Sequence, residues 1–212
     1  MLEKIWSVIA VLLVIGASII SGADLFVSAL SLVGILFVLG VAFKRPESQL
    51  LGAVFCGFLA FASMGAGFYA NAVVNGLILI PASIYGYFHW KRRKGFQLEQ
   101  SMSSGGLTNM IVSLVAVTAL VFFFGTMGAG GAMPLLDALT GVMPVFATFL
   151  MIGAYREQWL LWIPFNAIQA FMWFTAASLQ PAVLAVFVLK LVFLINSLIG
   201  FYTWRKEAYA SF

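Results

Sequence analysis

Residues 181–206 read PAVLAVFVLKLVFLINSLIGFYTWRK, a run of mostly apolar residues that ends in aromatic and then basic side chains. About 20 apolar residues form a helix long enough to cross ~30 Å of hydrocarbon. Aromatic side chains suit the headgroup level of a bilayer, and basic residues mark its cytoplasmic side. This stretch therefore predicts a transmembrane helix that ends in the cytoplasm.

Similar apolar runs occupy most of the 212-residue chain, of which 63% is hydrophobic and only 8% is charged. A soluble domain of this size would lack an adequate polar surface, so the bilayer is the expected solvent. The runs are apolar on most faces and lack the alternation of a membrane barrel. We predict an all-α membrane protein with eight transmembrane helices, at residues 5–21, 25–43, 49–66, 69–90, 107–125, 133–153, 159–177 and 181–204.

The basic residues predict the orientation of these helices. With the N-terminus inside, every loop follows the positive-inside rule and both termini are cytoplasmic. Ten of the eleven basic residues then lie inside: Lys4, Lys44, Arg45, Lys91, Arg92, Arg93, Lys94, Arg156, Arg205 and Lys206. An alternative is that the first run is a cleaved secretory signal, which would leave seven spans.

The sequence lacks the chemical groups that several classes of function require. The lone Cys56 excludes a disulfide framework and a cysteine metal site, and His89 is the only histidine. Basic residues are scattered between the runs, which argues against nucleic-acid binding. With no phosphate-binding loop and no Ser/His/Asp set, we expect neither an enzyme nor a cofactor, and a transporter is favoured.

An internal repeat is indicated by two run ends: residues 84–92 read IYGYFHWKR and residues 198–206 read LIGFYTWRK. An aromatic belt with basic residues explains one such end. However, the segments 25–94 and 135–206 each hold three runs and are separated by one extra run. This predicts two parallel three-helix repeats with a substrate site between them. The predicted regions are an N-terminal extra helix (1–24), the first repeat (25–94), a cytoplasmic linker with a connecting helix (95–132), and the second repeat with a cytoplasmic tail (133–212).

A polar and aromatic stripe marks the seventh run. Its members are spaced by 3, 4, 3 and 4 residues and fall within roughly 80° of one helix face. Amides inside a membrane need partners, which points the stripe inward, where indoles and carboxamides suit a planar ring bearing hydrogen-bonding groups. Trp159 alone would indicate an interface anchor, and a single amide would indicate helix packing. Together, the five residues predict a substrate-binding face: Trp159, Trp162, Asn166, Gln169 and Trp173.

Four more residues complete the predicted substrate site: Asn75, Tyr85, Asn196 and Lys190. Asn75 and Tyr85 share a helix face in the fourth run, whereas His89 on that face is expected at the membrane edge. Lys190 lies within the eighth run at a depth similar to that of Asp137 in the sixth. Because an unpaired charge in a membrane is costly, the favoured interpretation is a Lys190–Asp137 pair; substrate contact and a proton relay stay open.

These residues resemble the PnuC family of vitamin and nucleoside transporters, from about residue 25 onward. The resemblance rests on Tyr85-Gly86 with Trp90, on Pro134 with Asp137, on Trp159-Leu160-Leu161-Trp162 with Asn166, and on Asn196 with Gly200 and Trp204. It implies a SWEET-like three-plus-one-plus-three fold, a homotrimer, and a multi-pass protein of the bacterial cytoplasmic membrane.

The same resemblance implies import of nicotinamide riboside by facilitated diffusion, with trapping through phosphorylation by a cytoplasmic kinase. Trp159, Trp162 and Asn166 would stack on the substrate and bind it by hydrogen bonds. Relatives of this kind carry thiamine, riboflavin or deoxynucleosides, and a Gln is common near the position of Asn75. Lys190 would repel a cationic substrate unless Asp137 neutralises it. Another vitamin or nucleoside is thus the close alternative, and a non-transporting membrane protein the distant one.

Overall fold

The computed structural model describes residues 2–42, 45–92 and 100–210, and the regular structure in these ranges is helical. A single β-bridge joins Gln100 to Tyr155. Each helix overlaps one predicted run, which confirms the all-α prediction: α1 Leu2–Ile20, α2 Leu25–Ala42, α3 Glu47–Gly65, α4 Tyr69–Arg92, α5 Ser104–Thr126, α6 Pro134–Ile152, α7 Gln158–Leu179 and α8 Leu184–Ala210. The topology signals Lys44, Arg93 and Lys94 lie outside the described residues, and so do residues 95–99 of the predicted linker.

The lengths and composition of these helices fit a membrane. Six of the described helices, α3 to α8, are long and apolar enough to cross one. Two further apolar helices, Ile5–Ile20 and Leu25–Val41, are shorter. Exposed leucine, isoleucine, valine and phenylalanine side chains cover much of the surface, a distribution that suits lipid rather than water. The chain is therefore a multi-pass membrane protein.

Six of the helices form a closed ring in the order α2, α3, α4, α6, α7 and α8, with α8 packing against α2. The same pattern of contacts occurs twice. The middle helix of each triplet contacts both of its neighbours, and the first helix of each triplet contacts the last helix of the other. Outside the ring, α1 packs on α2 and α8, while α5 packs chiefly on α6. Six helices thus surround a common interior.

Two glycines of the repeated motif occupy matching places in this ring. A Cβ atom at Gly86 of α4 would lie 3.1 Å from Oε1 of Gln49, at the start of α3. At Gly200 of α8, the added atom would overlap the indole of Trp159, at the start of α7. In each triplet, the last helix therefore approaches the first turn of the middle helix at a glycine, as small residues permit in membrane proteins.

The fourth helix departs from α-helical geometry at residues 75–79, which form a π-helical turn. This turn begins at Asn75, whose Nδ2 donates to the Asn71 carbonyl oxygen at 2.8 Å. A second π turn, Phe122–Thr126, ends α5. π turns add a residue to one turn of a helix and are frequent at functional sites. Neither turn is apparent from the pattern of apolar residues in the sequence.

The side chain of Asp137 connects α6 to the first turn of α4. Its Oδ2 accepts a hydrogen bond from the Ala70 backbone N–H at 2.7 Å, and its Oδ1 accepts from the backbone N–H of Asn71 at 3.0 Å. The Asn71 side-chain Nδ2 also donates to Oδ1, at 2.7 Å. The first N–H groups of a helix lack intrahelical partners and attract negative charge. Asp137 therefore caps α4 from a different helix.

The predicted Lys190–Asp137 pair was wrong for this structure. In the part of the chain that the structure describes, Asp137 forms no ion pair with Lys190, because its carboxylate is bound to the start of α4. A similar depth along two helices does not by itself bring side chains together. The backbone N–H groups in the first turn of α4, which lack intrahelical partners, are the donors that Asp137 reaches instead.

We expect Asp137→Ala to lower the free energy of unfolding by about 2 kcal/mol or more, because buried N–H groups of α4 would lose their acceptor. Asp24→Ala is the matched control, since exposed Asp24 caps its own helix through a 2.8 Å bond from the Val27 N–H. For Asp24→Ala, the expected loss of unfolding free energy is about 1 kcal/mol. Thermal unfolding in detergent measures both, and equal losses would contradict a special role for Asp137.

Candidate ligand-binding cavity

A cavity lies inside the helix ring, and all six ring helices contribute to its wall. The α2 and α3 helices supply apolar side chains, whereas α7 supplies half of the aromatic and half of the amide residues. The wall comprises Phe37, Val38 and Val41 of α2; Phe55, Cys56 and Leu59 of α3; Asn75, Leu79 and Ser83 of α4; Pro144, Thr148 and Met151 of α6; Gln158, Trp159, Trp162, Phe165 and Asn166 of α7; and Lys190, Phe193, Asn196 and Ser197 of α8.

The first nine residues of α7 provide the aromatic wall. Trp159 and Trp162 both border the cavity, which agrees with their predicted place on an inward face. The Trp159 indole packs on Gly200, and Trp162 meets Phe165 edge to face, with ring centroids 5.6 Å apart and planes at 70°. Packing of this kind holds flat ring surfaces in fixed positions. The arrangement can accept a planar ligand ring against an indole.

Two amide side chains of α7 border the same cavity. Asn166 Nδ2 donates to the Ser197 hydroxyl at 3.0 Å, and Gln158 Nε2 donates to the Tyr155 carbonyl oxygen at 3.1 Å. The carbonyl oxygens of both amides are buried and receive no hydrogen bond in the structure. A buried acceptor without a donor is costly. Both oxygens therefore have unused acceptor capacity next to the cavity.

Polar groups from α4 and α8 face the α7 wall. Asn75 and Asn196 are both buried and border the cavity, as predicted. Lys190 borders it too and is 1% exposed. Its Nζ lies 5.6 to 5.7 Å from the ring centroids of three phenylalanines, Phe55, Phe165 and Phe193. The cavity thus combines amide groups with one amine surrounded by aromatic rings.

Gln169 and Trp173 lie on the predicted face of α7 but not in the cavity wall. Trp173 Nε1 donates to Gln169 Oε1 at 3.0 Å, and Gln169 Nε2 donates to Asn71 Oδ1 at 3.0 Å. Phe68 packs edge-on against the Trp173 indole, with centroids 5.4 Å apart. These groups form a layer beyond Asn166, toward the end of α7. The structure therefore places both residues in helix packing rather than in the cavity.

Tyr85, another predicted site residue, is 57% exposed and lies outside the cavity wall. Its ring stacks on His89, with centroids 5.7 Å apart. Tyr85 lies outside the cavity because of the π turn that starts at Asn75. One added residue rotates the rest of α4 by about 100° relative to a regular helix. The face extrapolated from Asn75 consequently does not reach the cavity at Tyr85.

Polar wall residues that were not expected from the sequence include Ser83, Thr148 and Gln158. Gln158 had a usable signal, since it precedes Asn166 by eight residues and therefore shares its helix face. Ser83 and Thr148 are single small polar residues in apolar helices. Such residues commonly bond their own helix backbone, so the sequence contained no sign of their position.

A ring of apolar helices around a cavity with aromatic and amide walls is typical of membrane transporters of small organic molecules. The comparisons with known proteins agree. The sequence model of a family described as nicotinamide mononucleotide transporter matches residues 24–206. The chain belongs to this family of membrane transporters, the PnuC family, and is not an enzyme.

Two relatives and one solved structure illustrate the similarity. A Haemophilus influenzae protein described as nicotinamide riboside transporter PnuC is 31% identical over 179 residues, which cover 82% of this chain and 76% of the relative. A Neisseria mucosa protein of the same description is 28% identical over 190 residues, 84% of this chain and 71% of the relative. The crystal structure of the vitamin B3 transporter PnuC is similar in fold, with a TM-score of 0.84 and 24% identity, over 97% of this chain and 91% of that one.

Gly200→Ala should displace the Trp159 indole, because the added methyl group overlaps the ring. We expect a loss of about 1–3 kcal/mol in unfolding free energy from overpacking, together with weaker ligand binding. Gly57→Ala is the control, since its added Cβ would meet only Ile80, at 3.9 Å. That variant should be neutral or slightly stabilising. Thermal unfolding and ligand titration measure both effects, and equal behaviour of the two variants would contradict close packing at Gly200.

Proposed function

We propose that this chain imports nicotinamide riboside across the bacterial cytoplasmic membrane by facilitated diffusion, and that phosphorylation by a separate cytoplasmic kinase then traps the vitamin. The observation that carries this proposal is the convergence of all six ring helices on one cavity in a PnuC-family chain. The relatives from Haemophilus influenzae and Neisseria mucosa are described as nicotinamide riboside transporters.

The cavity wall suits the parts of this substrate. The Trp159 and Trp162 indoles provide flat surfaces for the nicotinamide ring. The carbonyl oxygens of Asn166 and Gln158, which are buried and unpaired in the structure, can accept hydrogen bonds from the carboxamide or from ribose hydroxyls once side-chain movement exposes them. Asn75 and Asn196 can bind other polar groups, as the sequence analysis proposed. The proposed site therefore contains six of the nine predicted residues and excludes Gln169, Trp173 and Tyr85.

We propose eight membrane spans, arranged as α1 followed by a SWEET-like three-plus-one-plus-three fold with parallel repeats α2–α4 and α6–α8. The repeated pattern of helix contacts supports this arrangement, and so do the matching places of Gly86 and Gly200. In the proposed orientation, both termini are cytoplasmic. We also propose the homotrimer that the resemblance implies.

Facilitated diffusion requires only that one site open alternately to the two sides of the membrane. Two similar halves around the cavity can supply this opening by rocking against each other. Removal of free substrate by a kinase would then maintain the gradient that drives uptake. The alternative is transport of another vitamin or nucleoside, such as a deoxynucleoside, thiamine or riboflavin, by the same fold. A non-transporting membrane protein is the distant alternative.

Ligand-induced stabilisation tests the substrate. Nicotinamide riboside should raise the unfolding temperature of the purified protein, because binding to the folded state raises apparent stability. Trp162→Leu should weaken binding by about tenfold or more, since stacking would be lost. Trp6→Leu changes a tryptophan outside the cavity wall and should leave binding unchanged. A shift with thiamine, riboflavin or thymidine alone would favour the alternative substrates, and no shift with any ligand would contradict the transporter proposal.

Counterflow in proteoliposomes tests the mode of transport. We expect exchange of labelled nicotinamide riboside at a rate that a proton gradient does not change, because facilitated diffusion couples to no ion. Addition of a protonophore provides the control in the same vesicles. Strong acceleration by the gradient would contradict facilitated diffusion and would favour proton coupling.

A further inference from the structure

Three of the four amide side chains in the cavity wall of the described residues are oriented by hydrogen bonds from their NH2 groups to the protein. Asn75 Nδ2 donates to the Asn71 backbone carbonyl oxygen at 2.8 Å, and Gln158 Nε2 donates to that of Tyr155 at 3.1 Å. A carbonyl oxygen only accepts hydrogen bonds, so each of these contacts requires the nitrogen end of the amide. The oxygen ends of Asn75 and Gln158 are therefore left for other donors.

The orientation of the third amide, Asn166 of α7, depends on Ser197 of α8. The Ser197 hydroxyl donates its one hydrogen to the Phe193 carbonyl oxygen, at 2.8 Å. It can then only accept from Asn166, and Nδ2 of Asn166 lies 3.0 Å from the hydroxyl oxygen. A reversed amide would place Oδ1 against an oxygen whose hydrogen is already used, at the cost of a hydrogen bond. Ser197 thus leaves Oδ1 of Asn166 as the unpaired end, and that atom is buried without a donor.

These oriented amides give the cavity wall a common polarity. An amide oxygen accepts hydrogen bonds and is the negative end of the amide group. The wall contains no carboxylate among the described residues, so the amide oxygens are its strongest side-chain acceptors. They suit a ligand that carries N–H groups once side-chain movement exposes them to it. A positively charged ring is compatible with these oxygens and with the indole faces of Trp159 and Trp162.

The position of Asn166 indicates which group of a ligand it meets. Asn166 follows Trp162 by four residues on the same face of α7, which is about 6 Å along the helix axis. A ring that stacks on the Trp162 indole therefore holds a substituent at its edge close to the Asn166 amide. In nicotinamide riboside, the ring substituent is a carboxamide, whose N–H groups are donors.

We propose that Ser197 is a positioning residue: because it fixes the Asn166 amide with its oxygen as the free end, the cavity selects rings that bear an N–H donor. The inference rests on the proposed transport of nicotinamide riboside and names the group of the substrate that this part of the site recognises. A ring with a methyl group in place of the NH2 group leaves Oδ1 of Asn166 unpaired and binds less tightly.

Nicotinamide riboside and its acetylpyridine analogue, in which a methyl group replaces the NH2 of the carboxamide, are matched probes. Both carry the ring charge, the carbonyl group and the ribose. We expect the purified full-length protein to bind nicotinamide riboside about tenfold more tightly than the analogue in calorimetric titrations. Ser197→Ala should reduce this ratio to about threefold or less, because either end of the Asn166 amide can then face the ligand. Ser197→Thr retains the hydroxyl and should retain the ratio.

Two further variants show whether the ratio reports on this contact. Asn166→Ala removes the acceptor and should lower the ratio as far as Ser197→Ala does. Ser18→Ala is the matched control, since the Ser18 hydroxyl also donates to a carbonyl oxygen of its own helix, that of Val14, at 3.0 Å. Ser18 lies outside the cavity wall, so its substitution should leave the ratio unchanged.

Several results would overturn the inference. Equal binding of the two ribosides by the wild-type protein would do so without any variant. A ratio unchanged in Ser197→Ala or in Asn166→Ala, lost in Ser197→Thr, or lowered equally by Ser18→Ala would also overturn it. In each of these cases nicotinamide riboside still binds, so the transport proposal stands. If the protein binds neither riboside, the inference and the proposed substrate fail together.

Discussion

The carboxylate of Asp137 on the N-terminus of α4 is the interaction on which the interior of this protein depends. It joins helices from the two triplets and fixes Asn71, whose amide oxygen then accepts a hydrogen bond from Gln169. Gln169 in turn accepts from the indole of Trp173. A continuous series of hydrogen bonds therefore connects α6, α4 and α7 and forms the layer beyond the cavity.

This dependence follows from the solvent. In lipid, apolar side chains gain little by leaving their surroundings, so packing and hydrogen bonds decide how helices associate. The apolar surfaces of the ring helices thus do not by themselves select one arrangement. One arrangement of the helices is selected by the hydrogen bonds that begin at Asp137 and by the close approaches at Gly86 and Gly200.

Hydropathy predicted α1 to α8 among the described residues, since a run of apolar residues is a direct sign of a membrane helix. The periodicity of α7 predicted an inward face, and Trp159, Trp162 and Asn166 on that face border the cavity. The spacing of residues defines one face of a helix, but it does not indicate which part of that helix borders a cavity. Trp173 follows Asn166 by seven residues, or roughly 10 Å along the axis, and lies in the packed layer. Tyr85 was misplaced because a π turn is not visible in hydropathy.

The position of α5 outside the ring has an evolutionary consequence. This helix packs chiefly on α6, supplies no side chain to the cavity wall in the described residues, and leaves most of its surface exposed. Three successive crossings end on the opposite side of a bilayer, and a fourth returns the chain to its starting side. The fourth helix of such a series must therefore cross, but its sequence is little constrained by the ring. We expect substitutions to accumulate faster in α5 than in the other helices, and new contacts with neighbouring proteins to arise there without changing the transport site.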